Sequence, residues 1–443
     1  MKIRIILPLI LVSLLYIPAC KPSKYDPSIC ANTSLIHHSI DKTTEIIVHD
    51  IFSPVVAGRI YAYTNIALYE TLRQGHPEYK SLAGQVRDLT EIPAPPADPK
   101  VDVNLAGLHA YVTVAKALIF SESEMEDYTN AMYADLKAKG LPDDVFEAST
   151  AYGKQVADHI LAWSKKDNYA QTRSFPKYTV TKDPNRWQPT PPAYIEAVEP
   201  HWREIRSMTL DSANQFAPEF PTAFSTDSNS QYYKEAMAVY TAIDSNKEEK
   251  LAIANFWDCN PYVMHQQGHL MMATKKITPG GHWMGIVGLA TRKAGLDMVG
   301  TAEAYAMVAI GLFDGFISCW DEKYRTNMVR PETYINRFID PRWEPSLQTP
   351  PFPEYTSGHS VITAASAVIM TSMFGENFAF ADSSELQYEL PVRSFNSFKE
   401  AAAEASISRF YGGIHTMPAI ENGAVQGAKV GEHVLSRVHT RVK

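Results

Sequence analysis

The chain has 443 residues, 45% of them hydrophobic and 20% charged, and this composition excludes a disordered, collagen-like or coiled-coil protein. Its length allows about three domain-sized units or one large unit with a sizeable core. The 41 basic and 49 acidic residues give a net charge of −8, which argues against a protein that binds nucleic acid through a broad basic surface.

The first residues have the pattern of an export signal. Two basic residues precede an apolar run over 5–17, which is shorter than the ~20 residues that span a bilayer as a helix. The run leads to Cys20 as in a lipoprotein signal, in which that cysteine is acylated. We therefore expect 1–19 to be a signal peptide and 20–44 a tether, with ordinary secretion as the alternative. The mature protein would be periplasmic or at the cell surface and would contact a membrane only through this lipid.

Apolar residues at helical spacing predominate after the tether, whereas alternating strand patterns are scarce. Helices are predicted over 105–120, from a capping-box sequence at 121–124 to a stop at Gly140, and over 142–166. Every later apolar run contains charged or polar residues, so we predict no transmembrane helix. The expected fold class is all-α, in packed helical bundles.

Two segments interrupt the helices of the N-terminal half, which we assign to residues 45–250. Residues 91–100 form a Pro-rich connector, and residues 168–231 form a long segment whose Trp, Tyr and Phe content favours a packed lid. In the C-terminal half, residues 251–443, the helical pattern resumes, and all the informative chemistry lies there.

Three short segments of the C-terminal half carry cationic and hydrogen-bonding residues. Lys323 and Arg330 are about two helical turns apart, so we expect both on one helix, which Pro331 ends. Ser357 and Gly358 precede the apolar run 361–374, so they are expected at a helix N-terminus, where free N–H groups favour an anion.

The third segment adds Arg409 and His415, and His359 directly follows Gly358. Each residue alone has a commoner explanation: His415 as a structural histidine, Arg409 as a salt-bridge partner, and Ser357 as a helix cap. Together they supply two arginines, a lysine, a serine, a glycine amide and two histidines, which is the set that a tetrahedral oxyanion requires.

In this order the segments Lys-x6-Arg-Pro, Ser-Gly-His and Ser-Arg-x5-His resemble the signature of vanadium-dependent haloperoxidases, which is related to that of type 2 phosphatidic acid phosphatases and bacterial acid phosphatases. Residues 256–258 and 278–283 resemble further haloperoxidase segments. The long upstream helical half makes the chain more similar to bacterial iodoperoxidases than to the short phosphatases. The resemblance implies vanadate as cofactor, with hydrogen peroxide and a halide as substrates, iodide preferred and bromide possible.

The resemblance also implies a role for each residue. His415 would be the axial vanadium ligand, His359 the acid and base for peroxide protons, and Lys323 would polarise bound peroxide. The other vanadate contacts would come from Arg330, Arg409, Ser357 and the Gly358 N–H. Candidates for the halide pocket near the signature are Phe352, Tyr262, Trp320 and Asp321.

Three alternatives remain open. An exported acid phosphatase would use the same residues, with His415 as the nucleophile and His359 as the acid for the leaving oxygen. A zinc enzyme is suggested by His265 and His269, one helical turn apart, but the glutamate of a His-Glu-x-x-His motif and a third ligand are missing. A lipid-anchored helical binding protein with an inactive site is opposed by the complete ligand set.

Two positions depart from the related families. Thr356 replaces the proline that precedes Ser-Gly-His in phosphatases, and we expect this change to loosen the turn. Ala419 stands where a carboxylate is common, four residues after the last histidine, so the group that orients His415 is not identified.

The glycines and cysteines of the chain give two further expectations. Gly423, Gly427 and Gly431 recur every four residues in a helix predicted after Thr416, which indicates close contact with another helix. Of the three cysteines other than Cys20, at most one pair can form a disulfide, and the pairing is open: Cys30, Cys259 and Cys319. The last two lie near the predicted site, and we expect both to be buried because exposed thiolates there would be oxidised.

Overall fold

The structure, a computed structural model, describes residues 25–98, 100–267 and 270–442, and the predicted signal peptide and Cys20 lie outside these ranges. It is mainly helical, as predicted, with two short antiparallel hairpins. The helices are α1 (Ser34–His49), α2 (Pro54–Leu72), α3 (Val103–Leu118), α4 (Glu122–Ala138), α5 (Asp143–Ser164), α6 (Tyr169–Thr172), α7 (Gln231–Tyr240), α8 (Lys247–Phe256), α9 (Pro279–Ala294), α10 (Met298–Thr326), α11 (Pro331–Phe338), α12 (Gly358–Phe374), α13 (Phe398–Tyr411) and α14 (Met417–Arg437). The strand pairs are β1 (Met264–Gln267) with β2 (Leu270–Ala273), and β3 (Phe380–Asp382) with β4 (Arg393–Phe395).

The three helices predicted in the N-terminal half correspond to α3, α4 and α5, with ends within two residues of the prediction. Gly140 follows α4 with a φ of 103°, a backbone conformation that favours glycine after a helix. The predicted capping box is wrong, because the Ser121 hydroxyl donates to Asp50 and makes no capping hydrogen bond to α4.

Helix α10 lies at the centre of the fold. It packs against α2, α9, α12 and α14, and its residues from Met298 to Lys323 are all buried. Among the described helices, α10 alone is long and apolar enough to cross a membrane, by length and composition. The sequence-based expectation that no such segment follows the signal peptide is therefore corrected. Here it is enclosed entirely by protein, so its apolar character serves the core.

The hydrophobic core runs continuously through both halves of the chain. One cluster of buried side chains extends from Cys30 to Val438 and includes residues of α2, α3, α5, α10 and α12. The close fit of α2 on α10 shows at Gly58, where an added Cβ would lie 2.9 Å from the Phe316 ring. The division at residue 250 therefore stays a prediction, since the packing does not separate the two halves.

The long segment between α6 and α7, which we predict to be a lid, packs along α10. Trp187 and Trp202 are fully buried, whereas Phe220 is 78% exposed. Asp314 of α10 accepts hydrogen bonds from the backbone N–H groups of Met208 and Thr209, both at 2.7 Å. This buried carboxylate anchors the segment to the core helix.

Helices α12 and α14 approach each other closely through glycine, as predicted. Gly423, Gly427 and Gly431 all face α12, and a Cβ on Gly427 would lie 1.9 Å from the carbonyl oxygen of Val361. Only glycine allows this separation. Since α12 begins at Gly358 and α14 follows His415, the contact holds two of the three signature segments together.

Candidate active site

Lys323 and Arg330 reach the same region from two different elements. Helix α10 ends at Thr326, where Asn327 adopts a left-handed conformation, and Arg330 immediately precedes α11. Pro331 is the first residue of α11, a position that suits proline because the N–H there has no helical partner. The prediction of one helix carrying both cations and ended by Pro331 is therefore wrong, although the two side chains still converge.

Backbone carbonyl groups hold the two cations. The Lys323 ammonium donates to the carbonyls of Pro353, Glu354 and Thr356 at 2.9, 3.1 and 2.5 Å. The Arg330 guanidinium donates to the carbonyl of Phe352 at 2.8 Å. Both side chains are fully buried, and this burial lowers the pKa of Lys323 and lowers that of Arg330 to about 10. An anion nearby would stabilise both charges.

Ser357 and Gly358 lie at the N-terminus of α12, as predicted. The Ser357 hydroxyl accepts a hydrogen bond from the Ser360 N–H at 3.3 Å and so caps the helix. The Ser357 N–H donates to the carbonyl of Ala419, which joins the start of α12 to α14. The positive end of the helix dipole therefore faces the same region as the two cations.

His415 is held in one orientation by two neighbours. Its Nδ1 lies 3.2 Å from Oε1 of Glu354, and its Nε2 lies 3.1 Å from Nη1 of Arg330. Because arginine only donates hydrogen bonds, Nε2 must be the acceptor, and the proton is assigned to Nδ1, which donates to the carboxylate. Burial and then the charge of Arg330 lower the pKa of His415 well below its usual range, so the ring stays neutral with a lone pair on Nε2.

Glu354 is the orienting group that sequence reasoning missed. Its Oε1 also accepts hydrogen bonds from the Thr416 N–H at 2.9 Å and the Thr416 hydroxyl at 3.2 Å. The carboxyl is fully buried, and this burial raises its pKa. The sequence did contain a signal, since Glu354 is the only charged residue between Phe352 and Ser357. Glu354, in the loop before α12, therefore supplies the carboxylate that is common in the related families at the position of Ala419.

Arg409 and His359 carry polar atoms with no partner among the described residues. Nη1 of Arg409 and Nε2 of His359 are buried and make no hydrogen bond. The other Arg409 nitrogens donate to Ser408 and to the carbonyl of Trp257, and Asp258 lies 3.8 Å from Nη1. Burial and then the charge of Arg409 lower the pKa of His359 well below its usual range. A tetrahedral oxyanion would give both atoms a partner.

A narrow cavity connects these groups with an apolar wall. Four predicted vanadate residues line it: Gly358, His359, Arg409 and His415. Lys323, Arg330 and Ser357 lie behind them, fully buried. The donor set therefore fits vanadate or phosphate, with positive charge on one side and an unprotonated Nε2 of His415 that could exchange its hydrogen bond with Arg330 for the central atom.

Three of the four halide-pocket candidates line this cavity: Phe352, Tyr262 and Trp320. The rings of Trp320 and Phe352 are 4.9 Å apart, and Lys323 Nζ lies 5.1 Å from the Phe352 ring centre. The prediction that Asp321 belongs to the halide pocket is wrong. Its carboxylate does not line the cavity and pairs with Arg325 at 3.1 Å. Successive helix residues point about 100° apart, so Trp320 and Asp321 cannot share one wall.

Two other expectations from the sequence are changed. Thr356 does not loosen the turn: it is fully buried, its hydroxyl donates to Gln426 at 2.7 Å, and its carbonyl accepts from Lys323. The histidine pair of the zinc alternative does not lie on a helix, because residues 264–267 form strand β1. The structure describes only the backbone of His265, and His269 lies outside the described residues.

Three cysteines fall in the described part of the chain, and all three are buried free thiols: Cys30, Cys259 and Cys319. The predicted burial of Cys259 and Cys319 is confirmed. Burial raises the pKa of both thiols, which keeps them protonated and less reactive toward oxidants.

Comparison with known proteins identifies relatives of this chain. The family model of the VCPO second helical-bundle domain matches residues 303–443. The crystal structure of a bacterial vanadium-dependent iodoperoxidase is 49% identical in sequence and has a TM-score of 0.89, with an alignment that covers 96% of this chain and 100% of that chain.

More distant structures share the fold. The holo and apo forms of a bacterial vanadium-dependent chloroperoxidase are each 16% identical, with a TM-score of 0.66. Their alignments cover 88% and 87% of this chain and 93% and 95% of theirs. No curated protein sequence matches the chain.

Proposed function

This chain belongs to the vanadium-dependent haloperoxidase family, and on that premise we propose that it oxidises iodide in preference to other halides, using hydrogen peroxide at a vanadate bound to His415. The observation that carries the assignment of the site is the neutral His415, with Glu354 on Nδ1 and an unprotonated Nε2 that accepts from Arg330. The iodide preference is supported by the 49% identity to a bacterial iodoperoxidase.

The residues present fit vanadate by charge and by hydrogen-bonding capacity. Lys323, Arg330 and Arg409 would balance its negative charge, and the Ser357 hydroxyl and Gly358 N–H would donate to its oxygens. Bound vanadate supplies a Lewis-acidic centre that binds peroxide and makes it electrophilic toward halide while vanadium stays at +5. The Nε2 lone pair of His415 would hold that centre.

His359 is the residue that moves a proton. Its Nε2 is buried on the cavity and has no partner among the described residues, and its lowered pKa keeps the ring neutral. A neutral imidazole can accept a proton from hydrogen peroxide and later return it to the departing oxygen. Lys323, buried next to the cavity lining, would withdraw electron density from oxygens bound at this site through its positive charge.

The aromatic wall favours a large, weakly hydrated halide. Trp320, Phe352 and Phe316 line the cavity, so a halide that enters it must leave water. Iodide has the smallest hydration cost among iodide, bromide and chloride, and it is also the easiest of the three to oxidise. Entry and chemistry therefore both favour iodide.

The halide preference is tested by steady-state kinetics of the vanadate-loaded enzyme with each halide at fixed peroxide. We expect kcat/KM to fall in the order iodide, bromide, chloride. A bromide or chloride kcat/KM equal to or above that of iodide would refute the preference and leave the vanadate site intact as a haloperoxidase centre.

We also propose that the chain is exported and held at a membrane through a lipid on Cys20. The support is the sequence pattern alone, a short apolar run over 5–17 followed three residues later by a cysteine. In cells that express the full chain, the protein is expected in the membrane fraction and labelled by palmitate. Cys20→Ser should release it into the soluble fraction, and unchanged fractionation of this variant would argue against the anchor.

A further inference from the structure

Three buried side chains converge beside the active site, and one of them, Cys259, also lines its cavity. Cys259 follows α8, His282 lies in the first turns of α9, and Glu385 lies between β3 and β4. His282 is fully buried, Cys259 is 2% exposed and Glu385 is 4% exposed. None of them takes part in the mechanism above.

The ligand atoms of this cluster lie within 4.8 Å of one another, and two of their separations suit a tetrahedral metal centre. Nδ1 of His282 lies 3.1 Å from Oε1 of Glu385 and 3.5 Å from Sγ of Cys259. Zinc bonds of ~2.0–2.1 Å to nitrogen and oxygen and ~2.3 Å to sulfur place tetrahedral neighbours ~3.3 Å apart for N and O and ~3.6 Å apart for N and S. The observed separations match these values.

The second nitrogen of His282 is fixed by a buried carboxylate. Nε2 lies 2.8 Å from Oδ2 of Asp382, and Oδ1 of Asp382 accepts from the Ser384 N–H and hydroxyl. A carboxylate on one ring nitrogen of a histidine is the arrangement that usually supports the binding of zinc by the other nitrogen. It orients the ring and directs Nδ1 toward Cys259 and Glu385.

Glu385 supplies an independent sign that a cation is needed. Its Oε1 is buried and makes no hydrogen bond among the described residues, and it lies 3.1 Å from Nδ1 of His282, close enough for an ion pair when that ring is protonated. A bound cation would satisfy this oxygen.

We propose that Cys259, His282 and Glu385 bind one Zn²⁺, with water in the fourth position. A thiolate, an imidazole and a carboxylate together suit zinc better than magnesium or calcium, which take oxygen ligands. Binding displaces one proton from Sγ of Cys259 and one from Nδ1 of His282, so zinc competes with the protons that occupy the metal-free cluster. No oxidation or reduction is involved.

The position of the cluster gives the ion a structural role next to the active site. The His282 ring stacks on Trp257 with centroids 4.4 Å apart and planes 17° apart. The carbonyl of Trp257 accepts from Nη2 of Arg409 at 2.7 Å. An ion that fixes His282 would therefore also fix the residue that holds Arg409.

Metal analysis of the full chain tests the proposal. The purified protein is dialysed against a chelator, loaded with Zn²⁺, freed of unbound metal by gel filtration and analysed for zinc and protein. The wild type and His415→Ala, which removes the anion-site ligand, are each expected to retain one zinc per chain. Cys259→Ser and Glu385→Gln should weaken zinc binding about tenfold or more, and Asp382→Asn by ~10–100-fold. Cys30→Ser is the matched control, a buried thiol outside the cluster, and should bind like the wild type.

The cobalt spectrum of the wild type gives a readout that does not depend on the folding of any variant. Co²⁺ added to the chelated wild type should produce a thiolate-to-cobalt absorption band, which Cys259→Ser removes and Cys30→Ser retains. Zinc retention at background level in the wild type, a cobalt spectrum without the thiolate band, or undiminished binding by a folded Cys259→Ser would each overturn the proposal. The cluster would then be an imidazolium clamped between two carboxylates.

Discussion

Glu354 shows how much of the active site depends on a single buried carboxylate. It contacts His415 and Thr416 and nothing in solvent, and its orientation assigns the proton of His415 to Nδ1. Its position three residues before Ser357 is visible in the sequence, but its direction is not, because helix or strand periodicity does not describe this loop. The signature residues could be predicted from their order along the chain, whereas this partner required the fold.

Replacing Glu354 by glutamine tests the role of the carboxylate. The amide can still accept a hydrogen bond from His415 but no longer carries the charge that makes Nε2 basic. We expect the Kd for vanadate to rise about 10- to 100-fold, measured by reconstituting activity of the apo-protein with increasing vanadate. Glu322→Gln is the control, since Glu322 is a buried carboxyl on α10 that pairs with Arg325. An equal rise in both variants would mean that the loss of a buried charge, and not the contact with His415, is responsible.

At the scale of elements, the site is an assembly of helix ends. Helix α12 contributes its N-terminus, α10 its last turns, and the segments before α11 and α14 contribute Arg330 and His415. The helices themselves could be predicted from apolar spacing and from stop signals such as Gly140. The sequence does not reveal the break between Lys323 and Arg330. A proline that ends one helix and a proline that begins the next look alike in a sequence, and the left-handed conformation of Asn327 is visible only in the structure.

Ser357 has two functions that a pair of variants can separate. Ser357→Ala should lower the unfolding free energy by about 1 kcal/mol, because the cap of α12 is lost, and should also weaken vanadate binding. Ser397→Ala removes an equivalent cap from α13, where Ser397 accepts from the Glu400 N–H at 3.1 Å, and should cost similar stability with unchanged vanadate affinity. Urea denaturation and vanadate titration measure the two effects. Equal vanadate affinities in the two variants would show that Ser357 is a cap only.

The contact between α12 and α14 predicts a strong effect of one methyl group. Gly427→Ala forces a Cβ into the carbonyl oxygen of Val361, so we expect an unfolding free energy lower by at least about 2 kcal/mol and weaker vanadate binding. Gly315→Ala is the matched control, since its Cβ would meet α12 at an ordinary 3.5 Å from Ile362. Thermal denaturation compares them, and a Gly427→Ala variant as stable as Gly315→Ala would mean that the helices can separate at no cost.

At the scale of the whole molecule, a chain of net charge −8 buries three cations around one anion site. This is possible because α10 is enclosed on all sides and because backbone carbonyls, which the composition does not reveal, accept their hydrogen bonds. The all-α class and the site residues could be predicted from the sequence. The hairpins, the direction of Asp321 and the burial of α10 depend on tertiary packing, and local patterns do not encode that packing.

Burial of polar groups also makes stability depend on pH. Burial lowers the pKa of His37 to about 4, and its Nδ1 lies 3.0 Å from the Tyr305 hydroxyl. The unfolded chain binds this proton more tightly, so the contribution is full above pH 6.5 and is lost as pH falls toward 4. From pH 8 to pH 5 the stability of the wild type should fall by about 2 kcal/mol relative to His37→Asn.

Urea denaturation of both proteins at the two pH values measures this difference. His38→Asn is the control, because His38 lies on the same helix with an exposed side chain. A difference between wild type and His37→Asn that does not change with pH would contradict the neutral, buried state of His37.

The most direct test of the central claim is oxidation of iodide by hydrogen peroxide, measured on the apo-protein with and without added vanadate, with hydrolysis of p-nitrophenyl phosphate followed in parallel. Iodide oxidation that requires vanadate and is lost in His415→Ala is the predicted result. A vanadate-loaded wild type that oxidises no halide yet hydrolyses the phosphate ester through His415 would contradict the account and identify the site as that of a phosphatase.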